Sequence, residues 1–380
     1  MRRSTEKILT THVGSLPDFV VIDPRAPGHE AQLAAAVADA IAKQRETGLD
    51  IINEGEFAKH GDWLRYAESR LGGCEPRQVA STVFVEGKDR EEFAAFYKYA
   101  TERGTLFYWP KEDLSRGASF FACTAPITYQ GGPAMAREIE VFRAALGSFP
   151  PQDAFLTTTA PASLEPYRKN EFYKSEEEFV YAIADAMRTE YEMIAKAGFL
   201  VQVDDAWIPA LWDRIGIKMG LAAFKTYCLM RVEALNHALA GIKPEQIRYH
   251  FCWGSWHGPH VYDIPMRDIV DVMLRVNAQC YSFEAANARH EHEYVVWESV
   301  KLPPGKIIAP GVVTHSTDVV EHPELVCQRI QRFAALVGKE NVIASADCGF
   351  GRRSHPQVGW AKLKALVEGA ALATKALKFH

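Results

Sequence analysis

The sequence predicts an α/β fold, a (β/α)8 TIM barrel with a long insertion after strand 2. Three observations lead there. Short runs rich in β-branched residues alternate with helical stretches along most of the chain, which is the pattern of βα units and a parallel sheet. Eight such runs can be counted, the number that closes a barrel. One stretch, 57–151, breaks the rhythm between the second run and the third. A chain of 380 residues is long for one ordinary domain, but barrels exceed that size as single units. Residues 1–380 are therefore read as one catalytic domain, with 57–151 folded over one end as a lid or a structural cap.

The elements follow in order. Ile8–Ser15 and Asp50–Glu56 are the first two strands, separated by the helical stretch Gln32–Thr47. Within the inserted stretch, Arg90–Thr101 reads as helix and Phe120–Tyr129 as strand, ahead of Gly131-Gly132. Ala154–Ser163 and Phe199–Trp207 come next. Between them lies Ser175–Lys196, a helix announced by a serine with acidic residues behind it. Helix Lys218–Ala240 leads into strand Ile247–Gly254. Strands Ala278–Asn287, Lys306–Val313 and Asn341–Phe350 complete the set, with helices Glu324–Val337 and Val358–Lys378 after the last two.

Composition removes several function classes. Hydrophobic residues make up 48% and charged residues 24%, as in an ordinary globular protein. Lys and Arg number 43 against 48 Asp and Glu, a net charge of −5, which argues against a surface that coats nucleic acid. No apolar run reaches the ~18 residues of a membrane span, and no apolar signal core follows the basic start. A cytoplasmic protein is expected. Its 7 cysteines, an odd number, read as thiols or metal ligands and not as a disulfide framework. No Gly-rich phosphate loop is present; Gly349-Phe350-Gly351-Arg352-Arg353 lacks the Walker spacing.

The chemistry concentrates at strand ends. His250 and Cys252 lie two residues apart, so they project from one face at the C-terminal end of the fifth strand, where barrel enzymes place their active sites. Glu284 ends the sixth strand, and Asp347-Cys348-Gly349 ends the eighth. His250, Cys252, Glu284 and Cys348 thus stand at matching heights. Two thiolates and an imidazole make a soft site, and zinc is the metal such donors favour. Zinc would hold a substrate thiol as a nucleophilic thiolate near neutral pH. The bland alternative is a buried His-x-Cys that only packs, with Glu284 satisfied by hydrogen bonds. Trp207, Trp253, Trp256 and Tyr262 fall near strand ends, either to stack a flat donor or to pack the rim. His257, His260, His290 and His292 form a second histidine-rich region, read as surface or supporting residues.

Seven blocks then carry a resemblance. They are Thr11-His12-Val13-Gly14-Ser15-Leu16-Pro17, Asp50-Ile51-Ile52-Asn53-Glu54-Gly55-Glu56, Val201-Gln202-Val203-Asp204-Asp205, His250-Phe251-Cys252-Trp253-Gly254, Glu284, Gly311-Val312-Val313-Thr314-His315-Ser316 and Asp347-Cys348-Gly349. In order and approximate spacing they resemble the C-terminal catalytic barrel of cobalamin-independent methionine synthase and its short single-barrel relatives. The resemblance implies that His250, Cys252, Glu284 and Cys348 ligate zinc. It implies that Ser15, Glu56 and Asp204 grip the amino-acid end of homocysteine. It makes His315 a proton shuttle toward the departing methyl donor, a task suited to an acid with pKa near 7. The expected partners are a small thiol and a methyl donor, either methyl-folate or a methyl-corrinoid protein, with no nucleic acid or membrane. A homo-oligomer is compatible with all of this. The chain departs from the synthases in having Asp204-Asp205-Ala206-Trp207 where they usually carry Asp-Glu-Pro, and in having room for one barrel and not two. The single-barrel relatives also include epoxide:thiol transferases of the coenzyme M type. A metal-free enzyme like uroporphyrinogen decarboxylase is the remaining alternative.

Overall fold

The computed structural model describes residues 1–18, 20, 22, 26–59, 66, 69–77, 83–106 and 120–379. Among them, eleven strands form two sheets. They are β1 (Leu9–Thr10), β2 (Ile52–Asn53), β3 (Leu71–Arg77), β4 (Phe120–Tyr129), β5 (Ala154–Thr159), β6 (Arg168–Asn170), β7 (Leu200–Asp205), β8 (Ile247–Phe251), β9 (Cys280–Phe283), β10 (Ile307–Val313) and β11 (Ile343–Ala346). The larger sheet has eight strands in the order β1-β11-β10-β9-β8-β7-β5-β2, and every pairing between its neighbours is parallel. Its two ends meet. Asp50 N and Ile51 N both donate to Thr10 O at 3.1 Å, and Thr11 Oγ1 donates to Ile51 O. The sheet is thus closed, and the expected barrel is present.

The principal helices are α1 (His29–Thr47), α2 (Ala94–Arg103), α3 (Gly132–Leu146), α4 (Glu176–Lys196), α5 (Leu221–Leu239), α6 (Met266–Met273), α7 (Pro323–Val337) and α8 (Pro356–Ala376). The start of α4 follows the serine signal: Ser175 Oγ accepts from Glu178 N at 3.1 Å, satisfying one of the helix's free N–H groups. Helix α3 is a finding. It lies inside the stretch expected as insertion, yet it buries Met135, Phe142 and Leu146 and packs between α1 and α4. It therefore takes the place of the barrel helix that follows β2. Its regular apolar spacing was overshadowed in sequence by the unusual segment before it.

The smaller sheet, β3-β4-β6, joins the inserted segment to the chain after β5. Cys74 and Cys123 face each other across β3 and β4, although nothing in their sequence spacing pairs them. The inserted segment also reaches the loop after β8. Tyr97 Oη donates to Asp89 Oδ2 at 2.6 Å and accepts from Trp256 Nε1 at 3.2 Å. Val261 N donates to Asp89 Oδ1, and His257 N to Leu106 O. Tyr97→Phe removes the hub of this junction. It is expected to cost about 1 kcal/mol locally, seen as faster amide exchange in 88–104 with the barrel strands unchanged. No described helix is long and apolar enough to cross a membrane.

Inside the barrel the side chains form levels, because alternate strand residues point inward. Gln202, Arg248 and Cys280 are in register on β7, β8 and β9. Asp204, His250 and Ser282 are in register one step nearer the C-terminal mouth. Below them Leu9, Ile51, Phe155, Leu200, Ile307 and Ile343 fill the interior as an apolar plug. The chemistry-bearing residues stand on that plug.

Candidate metal and thiol site

His250, Cys252 and Cys348 come together at the C-terminal mouth. One ligand atom from each lies within 4.8 Å of the others. The strand-end reading is thereby realised: a period of two puts His250 and Cys252 on one face of β8, and the short turn after β11 brings Cys348 to them. His250 and Cys252 are buried, and Cys348 is half-buried. His250 Nδ1 lies 3.3 Å from Ser282 Oγ, while among the described residues Nε2 has no hydrogen bond of normal geometry. An imidazole nitrogen beside two sulfurs is a donor set that could hold a soft metal ion.

The three groups shift one another. The thiol of Cys252 donates to Cys348, which holds Cys348 well below the usual thiol range, and His250 reinforces this against burial. The same contact, together with burial, pushes Cys252 well up. Burial works to lower His250, but its contact with the Cys348 sulfur outweighs it and raises the imidazole. The two sulfurs thus titrate as a pair, Cys348 toward the thiolate and Cys252 toward the thiol.

Glu284 adjoins this trio without being part of it. Its Oε1 accepts from Trp253 N at 2.9 Å and its Oε2 from Asn287 Nδ2 at 2.7 Å. Burial pushes its carboxyl well up, with His290 pulling the other way. Asp347 is fully buried. It accepts from Ala285 N at 2.7 Å, Ala286 N at 2.8 Å and Asn287 Nδ2 at 3.2 Å. It thereby ties the loop carrying Glu284 to the residue before Cys348. A Cβ on Gly311 would come within 2.7 Å of the Asp347 backbone, so this approach of β10 to β11 requires glycine. His290 bonds Asp263 at 3.1 Å and Glu293 at 2.8 Å, and burial notwithstanding these carboxylates raise it to about 10. The resulting cation stacks on Trp253 at 3.9 Å.

Ser15, Glu56 and Asp204 gather on the other side of the trio. Glu56 has φ 62°, a left-handed conformation unusual for a residue with a side chain. Its Oε1 accepts from Thr157 Oγ1 at 2.7 Å and would lie 2.1 Å from a Cβ on Gly14. Glycine, at φ +152°, lets that carboxylate lie against the chain just ahead of Ser15. Ser15 abuts Gly349, next to Cys348, and its carbonyl accepts from Phe350 N at 2.8 Å. Asp204 accepts from Gln202 Nε2 at 2.9 Å, and Gln202 also bonds Val13 O. Desolvation pushes Asp204 up to about 7, with His250 opposing and Glu56 adding to the rise. Lys59, buried, completes the corner 3.7 Å from Glu56.

An open cavity of about 520 Å³ adjoins the trio, lined by Gly254, Trp256, His257, Glu284, Asn287, His315 and Ser316 among others. His315 is buried, and its Nδ1 lacks a partner. Burial pushes it down to about 4, against the pull of Cys348. The aromatic residues are already engaged. Trp207 and Trp253 are buried, the latter stacked on His290. Trp256 carries His260 at 4.2 Å and the Arg214 guanidinium at 4.8 Å. Tyr262 has Lys88 over its ring at 4.5 Å. They pack the rim, as the second of the two readings had it. His292 lines a separate cleft with Asp263 and Glu293.

Sequence reading missed Lys59, Thr157, Gln202 and Asn287. Lys59 follows Glu54 and Glu56 closely enough to signal a charge cluster, but the other three are polar residues whose roles exist only across strands.

Comparison with known proteins places the chain in a family. The catalytic-domain model of the cobalamin-independent synthases matches residues 161–372. The methionine synthase of Saccharolobus solfataricus is 25% identical over 226 residues, 59% of this chain and 59% of that protein. The methionine synthase of Thermococcus kodakarensis is 22% identical over 220 residues, 58% of this chain and 57% of that protein. The similarity thus spans less than two thirds of these relatives' own length. A B12-independent methionine synthase from Shewanella sp. W3-18-1, solved with selenomethionine, superposes with a TM-score of 0.70 over 98% of this chain and 99% of that one, at 18% identity, a likeness of fold. More than half of the sequence matches the family's catalytic domain and the barrel extends the likeness to nearly all of it: the chain belongs to the cobalamin-independent methionine synthase family.

Proposed function

We propose that this protein is a zinc-dependent S-methyltransferase that methylates a small amino-acid thiol such as homocysteine. The observation that carries the reading is the meeting of His250, Cys252 and Cys348 within 4.8 Å at the barrel mouth. The donor set fits zinc: an imidazole nitrogen and two sulfurs, one already held toward the thiolate. Glu284, close by on hydrogen bonds that can be exchanged, is the proposed fourth ligand. Bound there, zinc supplies Lewis acidity that keeps the acceptor sulfur deprotonated near neutral pH.

The chain's own groups do the rest. Glu56 and Asp204 accept hydrogen bonds from the acceptor's ammonium, and Ser15 with neighbouring N–H groups receives its carboxylate. This sets the sulfur toward the cavity lined by His315. The sulfur lone pair attacks the donor's methyl carbon, the carbon–donor bond breaks, and its electron pair stays with the donor. The proton that the acceptor thiol gives up is taken by His315 and passed on to that leaving group. Residues 83–106, seated on the loop after β8, close the site as a lid. Two carboxylates in the acceptor corner suit an ammonium and repel a sulfonate, which weighs against the coenzyme M reaction. All seven cysteines are free thiols, in keeping with the proposed cytoplasmic location.

Purified protein is expected to hold close to one zinc per chain and to convert homocysteine to methionine with methyl-folate or a methyl-corrinoid protein as donor. Metal analysis alongside assays with both donors and an epoxide checks this. Full zinc with epoxide opening alone would replace the methyl-transfer reading; protein that neither retains nor takes up zinc would end the metal reading.

A further inference from the structure

The acceptor corner contains a group that neither the sequence reading nor the reaction above uses. Lys59 is buried, in a single turn Phe57–Lys59 directly after Glu56. Its Nζ donates to Thr157 O at 3.0 Å and to Thr157 Oγ1, and that hydroxyl donates onward to Glu56 Oε1 at 2.7 Å. The hydroxyl proton therefore points at the carboxylate, because the ammonium can only donate. Lys59 Nζ also lies 3.7 Å from the same Oε1. Glu56 is thus held by a direct charge contact and by a bridged one, in a left-handed backbone conformation that needs such anchoring.

Glu56 and Asp204 are like charges within electrostatic reach: Glu56 adds to the rise of Asp204 and Lys59 opposes it. Two buried carboxylates left to themselves would separate or share a proton. We propose that Lys59, bridged through Thr157, is a positioning residue that holds the Glu56 carboxylate in place as the receptor for the acceptor ammonium. Lys59 offsets part of the carboxylate charge in this corner and leaves the Glu56 oxygens fixed to accept from an ammonium. The acceptor class that follows is a thiol bearing a single amino group, so the inference rests on the amino-acid thiol reading and deepens it.

The test measures binding of homocysteine and of 4-mercaptobutanoate, the same thiol without the amino group, to zinc-loaded protein by calorimetry. Wild type is expected to prefer homocysteine at least tenfold. Lys59→Met should erase that preference at least tenfold through weaker homocysteine binding, leaving 4-mercaptobutanoate affinity and zinc content unchanged. Lys59→Arg should restore part of it. If Lys59→Met does not fold, Thr157→Val, which removes the bridge and keeps the lysine, should lower the preference and decides the matter. A variant that keeps the wild-type preference, or binds homocysteine more tightly, overturns the role of Lys59 alone. Absence of any preference in wild type overturns the amino-acid thiol reading and this inference with it.

Discussion

Cys348→Ser protein is expected to emerge from purification without its metal and without activity. Cys348 is the member of the trio held toward the thiolate, so it contributes the negative charge a soft cation seeks. Serine places a hard, protonated oxygen there, which can still accept from the Cys252 thiol but carries no soft negative charge. Loss of a supporting partner around a metal typically costs 10–100-fold in affinity. Loss of a ligand should exceed about 100-fold on that scale. Metal content after dialysis and competition with a zinc chelator measure it. Unfolding midpoints should fall only by the metal's own contribution, since Cys348 is half-buried and outside the core. Full zinc occupancy in the variant would show that the ion sits elsewhere.

Asp347→Ala should do comparable damage by a different route. The carboxylate of Asp347 accepts from Ala285 N, Ala286 N and Asn287 Nδ2 in a fully buried position. Alanine orphans two backbone N–H groups, each costing about 1–3 kcal/mol. A total of about 3–5 kcal/mol is expected, read from the denaturant midpoint. Asn287 would keep its bond to Glu284 but lose its tie to the β11 turn, so Glu284 and Cys348 would no longer be held relative to each other. Zinc affinity should fall about 10–100-fold. Asp347→Asn, which keeps one acceptor oxygen, should be milder in both respects. Equal stability of the alanine variant and the wild type would mean the carboxylate is not the tie it looks to be.

The two variants touch residues of differing legibility. Cys348 could be placed from sequence because a strand's alternation and a βα repeat are local rules, and together they set its height at the barrel mouth. Asp347 could be noticed but not explained, since its partners come from a loop about sixty residues away in the chain. Helix α3 was hidden for a related reason. Its apolar face makes sense only against α1 and α4, and the irregular segment before it drew it into the insertion. The rim aromatics illustrate the converse. Their position near strand ends was plain, but that Trp256 packs on His260 and the Arg214 guanidinium could be known only once the chain was folded.

By itself the sequence determined the barrel and the placing of His250, Cys252 and Cys348 at its mouth, because these follow from periodicities of two and about four residues and from strand count. Only the tertiary structure decided that these three share one corner, that Glu284 stands just outside the trio, and that Lys59 reaches Glu56 through Thr157. These depend on distances and burial between residues far apart in the chain. Charge and hydrogen bonding change steeply over an ångström, whereas the hydrophobic pattern that builds a barrel does not.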